Sequence, residues 1–262
     1  MDLVELKQQD SLESINRHPW EQARMKVIDG LLSKNYDRNA QLTILDVGCG
    51  DTFVAESILE KFPNSKLYCI DIAFTPEWLE YYKNKYKDIE LHVFCSLQDA
   101  IVDLKGTIDA ILFLDVIEHI EDEVAVLKET VALKEVTDKT DVIITVPAFQ
   151  SLFAHHDVQL GHYRRYNKST LKDSLNRSGL ESKGMAYFFT ILILARLIEL
   201  FKEKVLKSNK EDVGISAWDK GSFITWLMTT LLICDAKIVM GLQKIGLPII
   251  GLSLFTIARK KK

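Results

Sequence analysis

The chain has 262 residues, a formal net charge of −4 and 47% hydrophobic residues, enough for one α/β domain with an elaboration or for two modest domains. A slightly acidic chain without a basic stripe excludes a nucleic-acid binder. The one dense basic run, Arg259-Lys260-Lys261-Lys262, reads as a solvated tail or as a contact for an anionic membrane surface.

Residues 1 to about 20 are polar and weakly patterned, and Met1-Asp2-Leu3-Val4-Glu5 does not open a signal peptide. Pro19, followed by Trp20, Ile28, Leu31 and Leu32, predicts a helix over about 19–33. Next comes Thr43-Ile44-Leu45-Asp46-Val47-Gly48-Cys49-Gly50-Asp51-Thr52. Its apolar, β-branched start predicts a buried parallel strand. The Gly-x-Gly turn then lets backbone approach a ligand closely. A dinucleotide site needs a third glycine under the pyrophosphate. Phe53 stands there, which favours a nucleoside without pyrophosphate.

A helix over about 53–61 ends before Pro63, and Lys66–Asp71 predicts a second strand. Asp71 falls 21 positions after Gly50, where an acid at the neighbouring strand tip accepts ribose hydroxyls. A helix at about 75–85 and a strand Ile89–Cys95 follow, with Ser96-Leu97-Gln98-Asp99 at the strand's carboxyl end. The fourth strand, Ile108–Val116, runs into Leu114-Asp115-Val116-Ile117-Glu118-His119-Ile120. Asp122 caps a helix to about 134, and Asp141–Val146 is the fifth strand. This alternation predicts a doubly wound parallel sheet.

The segment after Pro147 is long and carries His155-His156-Asp157 and Gly161-His162-Tyr163-Arg164-Arg165-Tyr166. Long loops at this edge of a sheet usually carry function. Ser169 starts a helix that Gly179 ends. Two apolar runs follow, Tyr187–Phe201 and Phe223–Met240, separated by the polar segment Lys202–Lys220. Arg196, Glu199 and Lys202 with Glu203 recur every three to four residues and leave one polar stripe. The runs read as a helical cap over the site, as an amphipathic membrane-surface or dimer element, or as a segment containing a transmembrane helix. Cys69, Cys95 and Cys234 lie in apolar stretches, and with Cys49 they form no C-x-x-C pair. They read as reduced core residues of a cytoplasmic protein without a zinc site. The histidines lack the spacing of a metal site, so no metal is expected.

In this order and spacing, Leu45–Gly50, Asp71 and Leu114–Ile120 resemble the motifs of class I S-adenosylmethionine-dependent methyltransferases, in the branch of the ubiquinone-biosynthesis O-methyltransferases. The resemblance covers roughly residues 19–180 plus the last strand. It implies a Rossmann-like, mostly parallel sheet of seven strands in the order 3-2-1-4-5-7-6, the last strand antiparallel. Ser182–Phe189 fits the sixth strand and Leu252–Arg259 the seventh. Residues 1–190 plus 248–262 would form the methyltransferase domain, and residues 191–247 an apolar insertion that caps the site, dimerises or lies on a membrane surface.

The implied cofactor is S-adenosylmethionine, leaving as S-adenosylhomocysteine. Gly48, Gly50 and Asp46 would meet its methionine part with Cys49 beside them, and Asp71 with Ile72 the ribose. Ser96 and Leu97 would border the adenine, and Asp115 with Val116 would lie beside the methionine moiety. Thr52 departs from the glycine common there. A base is needed only for a weak nucleophile such as a hydroxyl, and His156, His162 and His119 are the candidates. Arg164, Arg165 and Tyr166 are candidates for the acceptor, with a salt bridge to Asp157 as the alternative for the arginines. The expectation is methylation, on oxygen, of a small or lipid-linked acceptor by a cytoplasmic protein that touches the membrane. A non-catalytic S-adenosylmethionine or S-adenosylhomocysteine binder acting as a regulatory or partner module is the alternative.

Overall fold

The computed structural model describes residues 17–206, 218 and 220–262. The expectations for residues 1–16, and most of the polar segment between the apolar runs, lie outside these residues.

Helix α1 (Pro19–Asn35) starts as the sequence suggests. Pro19 takes the first turn, where its missing N–H costs nothing, and the His18 ring accepts the Trp20 N–H. Strands β1 (Thr43–Val47), β2 (Lys66–Ile70), β3 (Leu91–Phe94), β4 (Ala110–Leu114) and β5 (Asp141–Pro147) alternate with α2 (Phe53–Lys61), α3 (Pro76–Lys85), α4 (Leu97–Asp103) and α5 (Glu123–Val131). After β5 come a 3-10 turn at Gln150–Leu152, the short helix α6 (His155–Gln159) and α7 (Lys168–Arg177). Then follow β6 (Leu180–Phe188), α8 (Ile191–Leu206), α9 (Gly221–Lys244) and β7 (Ser253–Lys260).

The sheet order is β3-β2-β1-β4-β5-β7-β6. Pairings from β3 to β5 are parallel, and β7 is antiparallel to both β5 and β6. Consecutive residues of β1 feed opposite faces. Ile44 joins the core under α1, α2 and α3, while Leu45 joins the core that takes in Leu127 of α5 and Leu171 of α7. A strand buried on both sides explains why β1 and β4 read as continuous apolar runs. Strand order reverses between β1 and β4, and the crevice at their carboxyl ends is the place where such sheets bind ligands.

Two sequence expectations change. Arg259 is not part of a free tail: it lies in β7, and its Nε donates to Asp141 at 2.6 Å. Cys234 is exposed and Cys95 half-buried, because Cys234 falls on the outer face of α9.

The apolar stretch between β6 and β7 forms α8 and α9. Polar side chains of α9 fasten it to the sheet. Asp235 accepts the N–H groups of Thr190 and Ile191, at 2.8 and 3.3 Å, capping the start of α8. Gln243 accepts the Tyr187 N–H and donates to the Tyr187 carbonyl, at 3.0 and 2.7 Å, as a neighbouring strand would. Thr229, Leu232, Ala236 and Val239 bury one stripe of α9 against the domain. Ile224, Leu227, Leu231 and Ile238 line the opposite side and are exposed. Among the described residues α9 is the one helix long and apolar enough to cross a membrane, by length and composition.

Candidate active site

The turn after β1 is built by two glycines and one acid. Gly48 (φ +70°) and Gly50 (φ +58°) adopt left-handed backbone. A Cβ on Gly48 would lie 2.6 Å from Cγ2 of Val116. The Gly48 and Cys49 N–H groups donate to the Ile70 carbonyl at the end of β2. Asp71 accepts the Gly50 N–H through Oδ2 and the Ala73 N–H through Oδ1, both at 2.9 Å. Thr52 is also left-handed, at φ +65°, and fully buried. Its hydroxyl bonds the Asp51 carbonyl (2.5 Å) and the Tyr86 hydroxyl (2.6 Å), contacts a glycine could not supply.

A cavity of about 1010 Å³ opens above this turn. That is the upper end of the size range of small-molecule sites, with room for a nucleoside ligand and a second molecule. Asp46, Gly48, Cys49, Gly50, Asp71, Ile72, Ser96, Leu97, Asp115 and Val116 all line it. Ile72 is 91% exposed, an apolar side chain with an open face toward the cavity. The Ser96 hydroxyl caps α4 by accepting the Asp99 N–H. Asp115 (φ +56°) is paired with Arg24 of α1 and accepts the Thr145 hydroxyl at 3.1 Å.

Three carboxylates, Asp46, Asp71 and Asp115, therefore face one cavity. Asp46 is 1% exposed, and its Oδ2 has no hydrogen-bond partner. Burial pushes its carboxyl up to about 7, Asp71 adding to the rise and Arg24 opposing it. Such a set repels a pyrophosphate and suits a ligand carrying positive charge and donor groups. S-adenosylmethionine, with its sulfonium, ammonium and ribose hydroxyls, fits. Asp46 offers an acceptor for an ammonium group, Asp71 one for ribose, and the glycine turn leaves space for both.

The far side of the cavity is formed by the segment after β5 and by α8. His119, His156, His162 and Arg165 line it. Asp157 is fully buried and gathers this side together. It accepts from Arg165 Nε and His162 Nδ1, at 2.8 and 2.9 Å, and from the Ala154 N–H at 2.8 Å, and it pairs with Arg196 of α8. Burial alone would raise the Asp157 carboxyl. The hydrogen bonds from His162 and Arg165 outweigh that and hold it well below the usual carboxylate range. Burial lowers the His156 ring's affinity for a proton. Arg196 also donates to the Leu152 carbonyl, and Leu192, Ala195 and Glu199 on the same helix line the cavity, so α8 roofs this side.

Two acceptor candidates do not reach the cavity. Arg164 pairs with Glu123 and donates to the Glu121 carbonyl at 2.6 Å. Tyr166 is 2% exposed and packs in the core beneath. Residues not singled out in the sequence do reach it: His18, Trp20 and Arg24 before and on α1, Glu118, Phe189, and Arg196. Arg196 carried a signal, since a charge inside an apolar helix needs a buried partner; the helical pattern alone assigns it to a solvated stripe.

The sheet order, with its cavity at the carboxyl ends of β1 and β4, is the fold of class I S-adenosylmethionine-dependent methyltransferases, and the lining of the cavity fits S-adenosylmethionine as cofactor. Residues 45–135 match a family profile described as a methyltransferase domain. Over 92 residues the chain is 28% identical to the malonyl-[acyl-carrier protein] O-methyltransferase of Acetivibrio thermocellus, a match covering 34% of this chain and 32% of that protein. The matched part thus spans about a third of the curated relative's length. Among solved structures, the [4+2]-cyclase SpnF aligns over 95% of this chain and 85% of its own, with a TM-score of 0.55 and 14% identity. A SAM-dependent methyltransferase from Archaeoglobus fulgidus aligns over 92% and 93%, at 0.52 and 14%. The mycolic acid cyclopropane synthase CmaA1, complexed with SAH and CTAB, aligns over 91% and 83%, at 0.52 and 12%. At such identities the likeness is one of fold.

Proposed function

We propose that this protein transfers a methyl group from S-adenosylmethionine to an oxygen of a small or hydrophobic acceptor. The observation that carries the reading is the single cavity that joins the acid-lined glycine turn to the histidine cluster beneath α8. When bound, S-adenosylmethionine supplies a methyl already activated by the positive charge on sulfur. The chain's own task is then to align the acceptor and exclude water. Phe189, Leu192 and Ala195 present an apolar wall for the acceptor.

A hydroxyl acceptor must also lose its proton. Asp157 is an ionised carboxylate and can only accept, so Nδ1 of His162 donates to it; in the neutral ring this tautomer carries its lone pair on Nε2. Deprotonation of the acceptor falls to this cluster. The likeness of residues 45–135 to a methyltransferase-domain profile, and the partial match to an O-methyltransferase, support methyl transfer and oxygen as the receiving atom. The exposed apolar faces of α8 and α9, including Leu194, Phe201, Phe223 and Trp226, support contact with a membrane surface.

The test has two stages. Calorimetric titration with S-adenosylhomocysteine should give saturable binding. A screen of hydroxylated metabolites and lipids with radiolabelled S-adenosylmethionine should then give an alkali-stable methyl ether or a methyl ester. Tight binding with no turnover on any acceptor would favour a binding module over an enzyme.

A further inference from the structure

The turn after β1 takes left-handed backbone three times in quick succession, at Gly48, Gly50 and Thr52, with φ +70°, +58° and +65°. The glycines adopt this conformation freely. A β-branched side chain adopts it only where its surroundings hold it there. Thr52 occupies the N-cap position of α2, yet its side chain caps none of the helix's N–H groups. A threonine at that place ordinarily accepts one of them. The Thr52 hydroxyl turns backwards instead, into a cluster behind the turn.

That cluster comes from α2 and α3. The hydroxyl of Tyr86, directly after α3, donates to Oε1 of Glu56 in α2 at 2.6 Å. Its oxygen is thereby left to accept the Thr52 hydroxyl, 2.6 Å away, whose proton is shared with the Asp51 carbonyl at 2.5 Å. Lys85 pairs with Glu56 at 2.7 Å and fixes the far end. Tyr82 stacks on Tyr86, with centroids 5.7 Å apart and planes at 9°, and its own hydroxyl donates to the same Asp51 carbonyl at 3.4 Å. Both tyrosines are buried. Burial, and after it the bond to Glu56, pushes the Tyr86 phenol well above its usual range, so it stays a donor. Neither tyrosine lines the cavity, but Asp51 and Phe53, on either side of Thr52, both do. Asp51 Oδ1 also accepts the Phe53 N–H at 3.4 Å. A backbone rotation at Thr52 would therefore displace two parts of the cavity wall together.

We infer that Tyr86, oriented by Glu56, is a positioning residue for the cofactor: it holds Thr52 in the left-handed conformation that keeps Asp51 and Phe53 placed for S-adenosylmethionine. The inference rests on the cofactor reading of the cavity, and Tyr86 acts on it only through Thr52. A glycine at position 52 would need no such hold. The effect of Tyr86 on the cofactor thus exists only while residue 52 carries a side chain. That dependence separates positioning from core packing, since lost packing weakens the fold whatever stands at position 52.

The experiment measures S-adenosylhomocysteine affinity of the full-length protein by calorimetry, with thermal melting of each variant alongside. Tyr86→Phe keeps the stack on Tyr82 and removes only the hydroxyl; affinity should fall about three- to tenfold, the net worth of one hydrogen bond. Thr52→Val keeps the branched side chain without its hydroxyl and should lose at least as much. In a Thr52→Gly background, Tyr86→Phe should change affinity by less than about twofold, while its effect on the melting temperature persists. Unchanged affinity in Tyr86→Phe, or an equal loss with glycine at position 52, overturns the positioning role. If Tyr86→Phe does not fold, Thr52→Val decides, and parental affinity in that variant overturns the role as well. A parent that does not bind S-adenosylhomocysteine removes the cofactor reading and this inference with it. Binding by the parent that Tyr86→Phe leaves unmoved removes the inference alone.

Discussion

Val116 closes over Gly48, so that a Cβ on Gly48 would meet Cγ2 of Val116 at 2.6 Å. The turn that receives the cofactor is thereby clamped between β1 and the segment after β4. Gly48→Ala meets two obstacles, the contact and the left-handed backbone, the second alone costing about 1–2 kcal/mol. S-adenosylhomocysteine affinity should fall at least about tenfold, with a lower urea midpoint. Adding Val116→Ala should recover part of the stability and not all of it, because the backbone strain remains. Full recovery in the double variant would show that only the contact matters.

Asp46 makes cofactor binding depend on pH. Its carboxyl titrates at about 7 in the folded protein against an ordinary value of 3.8. The folded chain therefore holds the proton more tightly than the unfolded chain, and this group's contribution to stability falls as pH rises from about 4 to about 7. A cationic ligand prefers the ionised form. Affinity for S-adenosylhomocysteine should rise between pH 6 and pH 8, with proton release visible as a buffer-dependent calorimetric heat. Asp46→Asn should bind more weakly and lose both dependences; an unchanged pH profile would remove Asp46 from the cofactor's charge.

Arg196 ties α8 to Asp157. Removing one member of a buried ion pair costs about 3–5 kcal/mol. Arg196→Met should fall at the low end, since Asp157 keeps Arg165, His162 and the Ala154 N–H. Asp157→Ala strands two buried arginines and should cost more. Urea unfolding of both variants reads this order, and a loss below about 1 kcal/mol in each would mean the cluster is more hydrated than its burial implies.

The outer face of α9 should matter for membranes and little for folding. Leu231 and Ile238 are 44% and 60% exposed. The double variant Leu231→Gln/Ile238→Gln should keep the parent's melting temperature within a few degrees and lose most co-sedimentation with anionic vesicles. Unchanged sedimentation would take this face out of membrane contact.

The sheet was legible because each strand carries its own signal. The β1 and β4 runs are apolar on both faces, and the glycine turn and Asp71 sit at the spacing a parallel sheet demands. All the expected cofactor residues line one cavity, since backbone and strand tips are placed by the sheet itself. The acceptor side was harder to read. Arg164, Arg165 and Tyr166 are adjacent in sequence but diverge in space, one to Glu123, one to Asp157 and one into the core. Glu118 stood in the sequence only as one residue of the motif after β4; its complete burial beside His162, a residue distant in sequence, could not be read there. Arg196 was hidden for the same reason, its partner lying in another element.

The Asp157 cluster also bears on how such a protein could change its acceptor. The cofactor half is assembled from glycines and single acids, so it tolerates piecemeal drift around a few fixed points. In the other half, one carboxylate answers to a loop arginine, a loop histidine and a helix arginine at once. Removing the carboxylate strands two buried arginines, and removing either arginine costs it one of its buried partners. New acceptor preferences would therefore have to be acquired by replacing the whole stretch from Ala154 to Arg196 as a cassette, or by adjusting the apolar wall of α8 while leaving Asp157, Arg165 and Arg196 untouched.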